Sequence, residues 1–313
     1  MLGNLIAAVA LGAGTSPPMN GCDDVPIALQ VLGSGGPMHG GGRGGAAYAL
    51  WRYGRPVVLI DMGGDTPTAL ARAGARPGTA DVLLVSHMHP DHVSGLPDFL
   101  WGEIVAERDR PLAIVGPPGG DAFLAVETFF RRLFGPDGAF PDLATAFSPD
   151  SFPITFRAAG GNDEIVFDRG GLRIRALRVD HGRSPALAYR IDVSGFSVVL
   201  GGDQTSRDPA FANFAAGADI LVLHAIVNRR AAANPVSRVV ALPVELGRVA
   251  ARAGARHLVL GHLMASARPG NDTAIWSLDD LDSVLSDVRD EYSGQISLAE
   301  DLVCFVPEAR GQL

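Results

Sequence analysis

The segment Ser86-His-Met-His-Pro-Asp-His-Val-Ser-Gly95 gathers four potential metal ligands directly after an apolar run. Within six positions it contains His87, His89, Asp91 and His92. The preceding run, Asp81-Val-Leu-Leu-Val85, has the length and β-branching of a buried strand. Imidazole and carboxylate groups are common zinc ligands, and ligands two residues apart in an extended loop can reach one ion. The pattern therefore predicts a metal site at the end of a core strand, rather than a polar loop that is rich in histidine by chance.

Three further polar residues each follow an apolar, strand-like run. His181 follows Leu172 to Val179, Asp203 follows Ser197 to Gly202, and His262 follows His257 to Gly261. A catalytic zinc usually takes three protein ligands, and two zincs take more. Taken singly, each of these residues could be a cap or a turn residue. Together with the four clustered ligands they make a set of five histidines and two aspartates at strand ends.

Composition bounds the class of protein and its partners. The chain has 313 residues, 47% of them apolar, with a mean hydropathy of +0.18, which is enough for a large buried core. It carries 34 acidic and 26 basic residues, for a net charge of −8. A generic polyanion binder would have the opposite balance. We therefore expect a small-molecule substrate and no nucleic-acid partner.

The N-terminal residues and the two cysteines bear on location. Residues 1–22 form an apolar run of about signal-peptide length followed by small residues and prolines, although no Lys or Arg precedes the run. We expect a leader over 1–22, a single domain over 23–313, and a periplasmic or secreted protein, with a cytoplasmic one as the alternative. Cys22 and Cys304 predict neither a disulfide framework nor a cysteine-rich zinc site. No other segment approaches the roughly 20 apolar residues of a membrane helix, so no membrane span is expected.

The order of strands and helices predicts an α/β protein with two sheets. Strands are expected from Ile27 and over 46–52, 57–61, 81–85, 112–115, 172–179, 186–193, 197–201, 220–224 and 257–260. Helices are expected over 66–73, 95–107, 122–134, 243–253 and 278–288. Residues 135–161, dense in Gly, Pro and Asp, are expected to connect two halves. Two runs of strands, each followed by helices, favour two sheets packed face to face with helices outside.

The order of the polar residues resembles the metal signature of the metallo-β-lactamase superfamily. The pattern is His87-x-His89-x-Asp91-His92, then His181, Asp203 and His262, and Val57 to Gly63 resembles the first motif of that superfamily. The resemblance implies a four-layer αββα metallo-β-lactamase sandwich that binds two Zn²⁺ ions, with other divalent metals possible. It implies that His87, His89 and His181 hold one zinc, that Asp91, His92 and His262 hold the other, and that Asp203 bridges them. Asp61 would orient the ligand loop.

Within the superfamily, the surroundings of His181 and Asp203 are similar to the ribonuclease Z branch. Two departures stand against that activity. The transfer-RNA-binding arm would lie between Tyr189 and Val198, where only a short turn is present, and the proton-donating histidine would fall within 234–243, which contains none. Other parts of the sequence are more similar to arylsulfatase-type members of the superfamily, namely those around Leu32–Pro37, Arg43, Leu59–Gly64 and Asp109–Gly116.

The expected function is therefore that of a dinuclear zinc hydrolase of sulfate or phosphate esters, of arylsulfatase or phosphodiesterase type. Asp91 is expected to be catalytic. His224, which ends another strand, is a candidate general acid or else a hydrogen-bonded core histidine, and Arg43 is a candidate clamp for an oxyanion or else a solvated loop residue. A lactonase and a non-catalytic, ligand-sensing metal protein remain the alternatives. A homodimer is left open.

Overall fold

A computed structural model describes residues 22, 24–38, 41–148, 151–266 and 274–307. Apart from Cys22, the expected leader lies outside the described residues. The strands are β1 (Ile27–Gly33), β2 (Ala47–Arg52), β3 (Arg55–Ile60), β4 (Val82–Leu84), β5 (Leu112–Gly116), β6 (Ile154–Ala158), β7 (Glu164–Arg169), β8 (Leu172–Val179), β9 (Ala186–Val193), β10 (Phe196–Leu200), β11 (Ile220–His224), β12 (His257–Gly261), β13 (Gln295–Leu298) and β14 (Cys304–Phe305). The helices are α1 (Thr66–Arg72), α2 (Pro90–Val93), α3 (Leu96–Val105), α4 (Val126–Phe134), α5 (Pro209–Phe214), α6 (Pro243–Ala253) and α7 (Leu281–Glu291).

The strands form two seven-stranded sheets. The first sheet has the order β14-β1-β2-β3-β4-β5-β6, and the second has the order β13-β12-β11-β10-β9-β8-β7. In the first, β3 to β6 run parallel, and in the second, β10 to β13 run parallel. Both sheets thus combine antiparallel hairpins with parallel strands whose crossovers carry helices.

Three apolar layers hold these sheets and helices together. The inner faces of the two sheets share one core, which includes Val58, Ile60 and Ile191. A second core lies between the first sheet and its helices, and includes Leu96 of α3 and Phe130 of α4. A third core lies between the second sheet and its helices. The molecule is therefore the αββα sandwich expected from the sequence.

The topology brings the carboxyl ends of several strands to one edge of the sandwich. Because β3 and β4 are parallel, the residues that follow them lie side by side, and the same holds for the residues that follow β10, β11 and β12. The two edges are joined across the sheets, since the amide of Leu187 donates to the carbonyl of Ser86 at 2.9 Å. The buried Tyr189 hydroxyl also donates to the carbonyl of Val85 at 2.8 Å.

Most expected elements are present, but the edge strands β6, β7, β13 and β14 and the short helices α2 and α5 were not expected. The strands expected over 172–179, 186–193 and 220–224 and the helix over 243–253 have the expected bounds. Residues 135–161 connect the two sheets, as expected, but they also contain the 3₁₀ helix Pro141–Phe147 and β6, the last strand of the first sheet. β6 and β7 are edge strands whose residues are mostly exposed or half-buried, so neither shows a buried apolar run.

Two observations bear on the cysteines and on membranes. Cys22 and Cys304 form a disulfide that ties the segment before β1 to β14, a bridge that was not expected from the sequence. In the part of the chain that the structure describes, no helix is long and apolar enough to cross a membrane.

Candidate metal centre

The loop after β4 is held by the buried carboxylate of Asp61, which follows β3. One oxygen of Asp61 accepts the amide of Ser86 at 2.6 Å, and the other accepts the Ser86 hydroxyl at 2.7 Å. The second oxygen also accepts Nδ1–H of His92 at 2.8 Å. Asp61 adopts a left-handed conformation with φ 56°. This single side chain therefore fixes both the start of the loop and the ring plane of His92.

The first group of possible metal ligands contains His87, His89, His181 and Asp203. Nε2 of His87 lies 2.9 Å from Nδ1 of His89, and Nε2 of His181 lies 3.3 Å from that same Nδ1. His181 is oriented from behind, because its Nδ1–H donates to the carbonyl of Val239 at 2.7 Å. The lone pair on its Nε2 consequently points at the other ligands.

The second group of possible metal ligands lies around Oδ1 of Asp203. Oδ2 of Asp91 lies 3.1 Å from Nε2 of His262 and 3.5 Å from Nε2 of His92. His92, Asp203 and His262 also group with His224 as atoms close enough to share an ion. The structure thus brings all seven sequence-expected ligands to one edge.

Asp203 lies between the two groups. Its Oδ2 is 3.9 Å from Nε2 of His87 and 3.7 Å from Nε2 of His181. Its Oδ1 is 3.8 Å from Nε2 of His92 and 3.7 Å from Nε2 of His262. Each oxygen of the buried carboxylate faces a different group, which is the arrangement that a bridging ligand requires.

The donor set fits a divalent cation of zinc type. Ligands about 2.1 Å from a tetrahedral zinc are about 3.4 Å from one another, and the separations given above scatter around that value. Nε2 of His92 is buried and has no hydrogen-bond partner among the described residues. A buried nitrogen with no partner is costly, and a metal ion would satisfy it. The residues present therefore suit the metal that this kind of site would hold.

The electrostatics of the site favour a bound cation. Burial lowers the pKa of His92, but the carboxylates of Asp61 and Asp203 outweigh burial and raise it to about 9. Burial raises the pKa of Asp203, yet the neighbouring imidazoles of His262 and His224 hold it well below its usual range. Burial, with the imidazole of His92 beside it, holds the pKa of His87 well below its usual value. Asp203 is therefore ionised and His87 neutral, which are the protonation states in which these groups bind metals, whereas a metal ion would have to displace the proton of His92.

His224 is fully engaged by two neighbours. Its Nδ1–H donates to Oδ1 of Asp203 at 2.6 Å, and the hydroxyl of Tyr48 lies 3.3 Å from its Nε2. A carboxylate only accepts, so Nδ1 carries the proton and Nε2 accepts from Tyr48. Burial lowers the pKa of His224. These contacts favour the hydrogen-bonded interpretation of His224 over the general acid.

Arg43 is used inside the loop that borders the site. Its Nη1 donates to the hydroxyl of Ser34 and to the carbonyl of Ala299, both at 2.7 Å. Asp301 completes this network by accepting the amides of Ser34 and Gly44. Arg43 therefore anchors the glycine-rich loop between β1 and β2 to the segment before β14. Its expected role as an oxyanion clamp stays a prediction.

Some residues of the centre were not expected from the sequence. Ser86, Tyr48 and the carbonyl of Val239 orient ligands or the bridging carboxylate. Ser86 could have been suspected from its place beside His87. Tyr48 comes from β2 and Val239 from a loop, and nothing in their local sequence marks them, because only tertiary packing brings them to the site.

Comparison with known proteins shows which family the sequence matches. Residues 57–263 match the model of the beta-lactamase superfamily domain. The chain is 30% identical over 290 residues to the ribonuclease Z of Mycobacterium marinum, covering 88% of this chain and 97% of that protein. The expectation of no nucleic-acid partner is wrong, because relatives that match over nearly their full length are ribonucleases. A net charge of −8 sums the whole surface, whereas bound cations and local arginines set the potential that a polyanion meets.

Solved structures show the same fold. The metallo-beta-lactamase fold protein YhfI from Bacillus subtilis superposes with a TM-score of 0.68 at 20% identity, over 89% of this chain and 98% of that one. Human tRNase Z, short form, superposes with a TM-score of 0.66 at 18% identity, over 90% of this chain and 100% of that one. The arylsulfatase expectation gains no support from these relatives.

Proposed function

Because the chain belongs to the metallo-β-lactamase superfamily, we propose that its metal edge hydrolyses phosphodiester bonds between ribonucleotides. The protein is a hydrolase of this fold with a His/Asp metal site. The observation that carries the proposal is Asp203, whose two oxygens face two separate groups of ligands. A pair of adjacent cations is the arrangement used for in-line displacement at phosphorus.

The expected zinc assignment follows the two faces of Asp203. His87, His89 and His181 would hold one ion, and Asp91, His92 and His262 the other. Cations held by these residues would lower the pKa of a water molecule and would neutralise charge on the oxygens of the ester. The native metal is proposed to be zinc, since imidazole and carboxylate ligands suit it.

The side chains of the site then hold and orient charge. The pKa of Asp91 is low, because burial, which raises it, is outweighed by the hydrogen bond from His262 and the neighbouring His92. Asp91 is therefore ionised at neutral pH and can accept a proton at its carboxylate. His224 orients Asp203 through Nδ1.

This positioning role distinguishes two substitutions of His224. His224→Asn keeps an N–H group that can donate to Asp203, whereas His224→Ala leaves the carboxylate without that donor. We expect the alanine variant to lose about 10- to 100-fold in zinc affinity, the size of effect typical of residues behind the ligands, and the asparagine variant to lose less. Equal affinity in both variants and the parent would contradict the positioning role.

The substrate is proposed to be gripped close to the metal edge. β9 and β10 are joined only by Ser194 and Gly195, so no arm extends from that hairpin. Recognition of a large folded RNA through such an arm is therefore not part of the proposal. Short oligoribonucleotides are expected to be cleaved nearly as well as structured RNA.

The test is a substrate panel on zinc-loaded protein. It contains a short oligoribonucleotide, a structured RNA with a 3′ extension, a nitrophenyl phosphodiester, nitrophenyl sulfate and a lactone. We expect both RNA substrates to be cleaved, with kcat/KM values within about tenfold of each other. His181→Ala is expected to lower kcat/KM at least 100-fold. The matched control is His257→Asn, because His257 lies at the far end of β12 from the metal centre, where it is hydrogen-bonded to Ser297. Rapid turnover of the sulfate or the lactone with no phosphodiester cleavage would overturn the proposal.

We also propose that the protein works in an oxidising compartment, as expected for a periplasmic or secreted protein. The Cys22–Cys304 disulfide supports this, because disulfides persist mainly outside the reducing cytosol. Thiol labelling of protein taken from its own cells under denaturing conditions is expected to find no free thiol before reduction and two after it. Two labelled thiols without reduction would contradict the proposal.

A further inference from the structure

A cavity lies at the end of the sandwich opposite the metal centre. It has a volume of about 730 Å³ and is lined by residues of both sheets. Arg55 and Leu172, which begin β3 and β8, line it, whereas Asp61 and His181 follow the other ends of those strands. The eight residues of β8 span about 25 Å. A ligand in this cavity would therefore not touch the metal ligands.

Arginine dominates the rim of this cavity. Its charged lining residues are Asp81 and five arginines, Arg52, Arg55, Arg110, Arg157 and Arg169. Asp81 is shared between two of them, at 2.8 Å from Arg55 and 2.6 Å from Arg110. In a chain whose net charge is −8, this excess of positive charge is local. It creates a positive potential at the mouth of a partly enclosed space.

Two of these arginines have no carboxylate partner among the described residues. The guanidinium of Arg52 donates from Nη1 to the carbonyl of Gly170, and its Nε is buried with no hydrogen-bond partner in the described part of the chain. The guanidinium of Arg169 lies over the face of the Phe167 ring, with its Cζ 5.8 Å from the ring centroid. A buried N–H group without an acceptor costs free energy, and an anion in the cavity would remove that cost.

The inner wall of the cavity is apolar. Val57, Val115, Val166 and Leu172 line it and belong to the core between the sheets. A bare inorganic anion would use the arginines and leave this wall in contact with water. An organic anion with an apolar body would cover the wall and place its head group on the guanidinium forks, which bind carboxylate and phosphate in two-point fashion. The volume lies within the range of small-molecule sites.

We propose that this cavity binds an amphipathic organic anion, with a carboxylate or phosphate head on Arg52 and Arg169 and an aliphatic body between the two sheets. The site is separate from the metal centre. Carboxylate and phosphate heads share the chemistry that the arginines recognise, so the probes must include both.

The proposal is tested by calorimetric titration of the full chain with decanoate and with decyl phosphate, below the concentrations at which they form micelles. We expect one of these anions to bind at one molecule per chain. Decanol, which lacks the charge, and acetate and inorganic phosphate, which lack the body, are expected to bind at least tenfold more weakly. Decyltrimethylammonium, with the opposite charge, is expected not to bind.

Variants distinguish binding in this cavity from binding at the metal centre and from nonspecific binding. Arg52→Gln and Arg169→Gln are each expected to weaken binding at least tenfold, and Ala113→Phe, which fills the apolar part, to abolish it. Asp203→Ala, in the metal centre, and Arg132→Gln, an exposed arginine of α4, are expected to leave the affinity unchanged. The proposal is overturned if neither decyl anion binds, if inorganic phosphate binds as tightly as they do, or if Asp203→Ala removes the binding.

Discussion

Asp203 is the residue on which both metal groups depend. Because one oxygen faces His87 and His181 and the other faces His92 and His262, its removal affects both groups, whereas removal of His181 affects one. We expect zinc-loaded parent protein to carry about two zinc ions per chain, His181→Ala about one, and Asp203→Ala fewer than one. Elemental analysis after gel filtration measures this. Two zinc ions retained by Asp203→Ala would contradict the bridge.

Gly36 leaves the space that the ring of His262 occupies. A β-carbon at this position would lie 2.2 Å from Cε1 of His262, so the imidazole would have to move. His262 has little freedom to do so, since its own backbone is in a left-handed conformation with φ 54°. Gly36→Ala is therefore expected to lower the affinity for the zinc ion held by Asp91, His92 and His262 about 10- to 100-fold. The affinity for the zinc ion held by His87, His89 and His181 is expected to stay the same. Competition with a chelator measures both affinities.

The matched control for that prediction is Gly102→Ala. Gly102 lies in α3, and a β-carbon there meets nothing within 4 Å. Alanine is the better helix former by about 1 kcal/mol, so this variant should fold at least as well as the parent and bind both ions unchanged. A loss of zinc in both variants would mean that the effect of Gly36→Ala is not local.

The gathering of the candidate ligands at one edge could be predicted from the sequence because they follow apolar runs, while their binding of metal stays a prediction. The strand fixes where its carboxyl end lies, and a His or Asp there has few other reasons to recur. The contacts behind the ligands could not be predicted in this way. Tyr48 reaches His224 from an antiparallel strand of the other sheet, and Arg43 is held by Ser34 and Ala299, so both depend on packing between segments far apart in the chain.

At the scale of elements, buried strands could be predicted and edge strands could not. β9 and β11 are almost entirely buried, and β8 alternates buried apolar residues with more exposed arginines, so all three carry a clear pattern and their bounds match the prediction. β6 and β7 close the sheets at one side, where side chains remain in water and the pattern of burial is weak. Polar residues at an edge also oppose pairing with other chains, so the weak signal has a physical cause.

An ion pair buried beneath α3 fixes that helix to the starts of β4 and β5. Arg108 and Glu103 are 2.6 Å apart, with side chains 0% and 5% exposed. Arg108 also donates to the carbonyl of Pro111, and Glu103 accepts the amide of Gly78. Arg108→Met leaves a buried carboxylate without its partner, and we expect the free energy of unfolding to fall by about 3–5 kcal/mol. Urea titration followed by tryptophan fluorescence measures the loss.

Arg173→Met is the control for that variant. Arg173 forms an ion pair with Asp168 at a similar distance of 2.8 Å, but the side chains are 55% and 47% exposed. Water screens an exposed pair, so the expected loss is below about 1 kcal/mol. If the two variants lost equal amounts, burial of the first pair would not be the source of its effect.

At the scale of the whole molecule, the disulfide joins residues 282 positions apart and fastens the segment before β1 to β14. Cross-linking of distant residues restricts the unfolded chain, with typical effects of about 2–4 kcal/mol. We expect a reductant to lower the melting temperature of the parent by several degrees. Cys304→Ser should show the same lowered value with no further response to the reductant. A parent protein whose melting temperature ignored the reductant would contradict a stabilising bridge.

The pairing of β14 with β1 has a consequence for synthesis of the chain. Leu29 of β1 pairs with Phe305 of β14. One edge of the buried strand β1 therefore stays unpaired until almost all of the chain described here has been synthesised. At ribosomal rates of about 5–20 residues per second, the wait lasts roughly 15–55 s. During that time the nascent first sheet presents an open, apolar edge to the crowded surroundings of the ribosome. A chain stalled within this window would be a substrate for chaperones, although most of its core could already have formed.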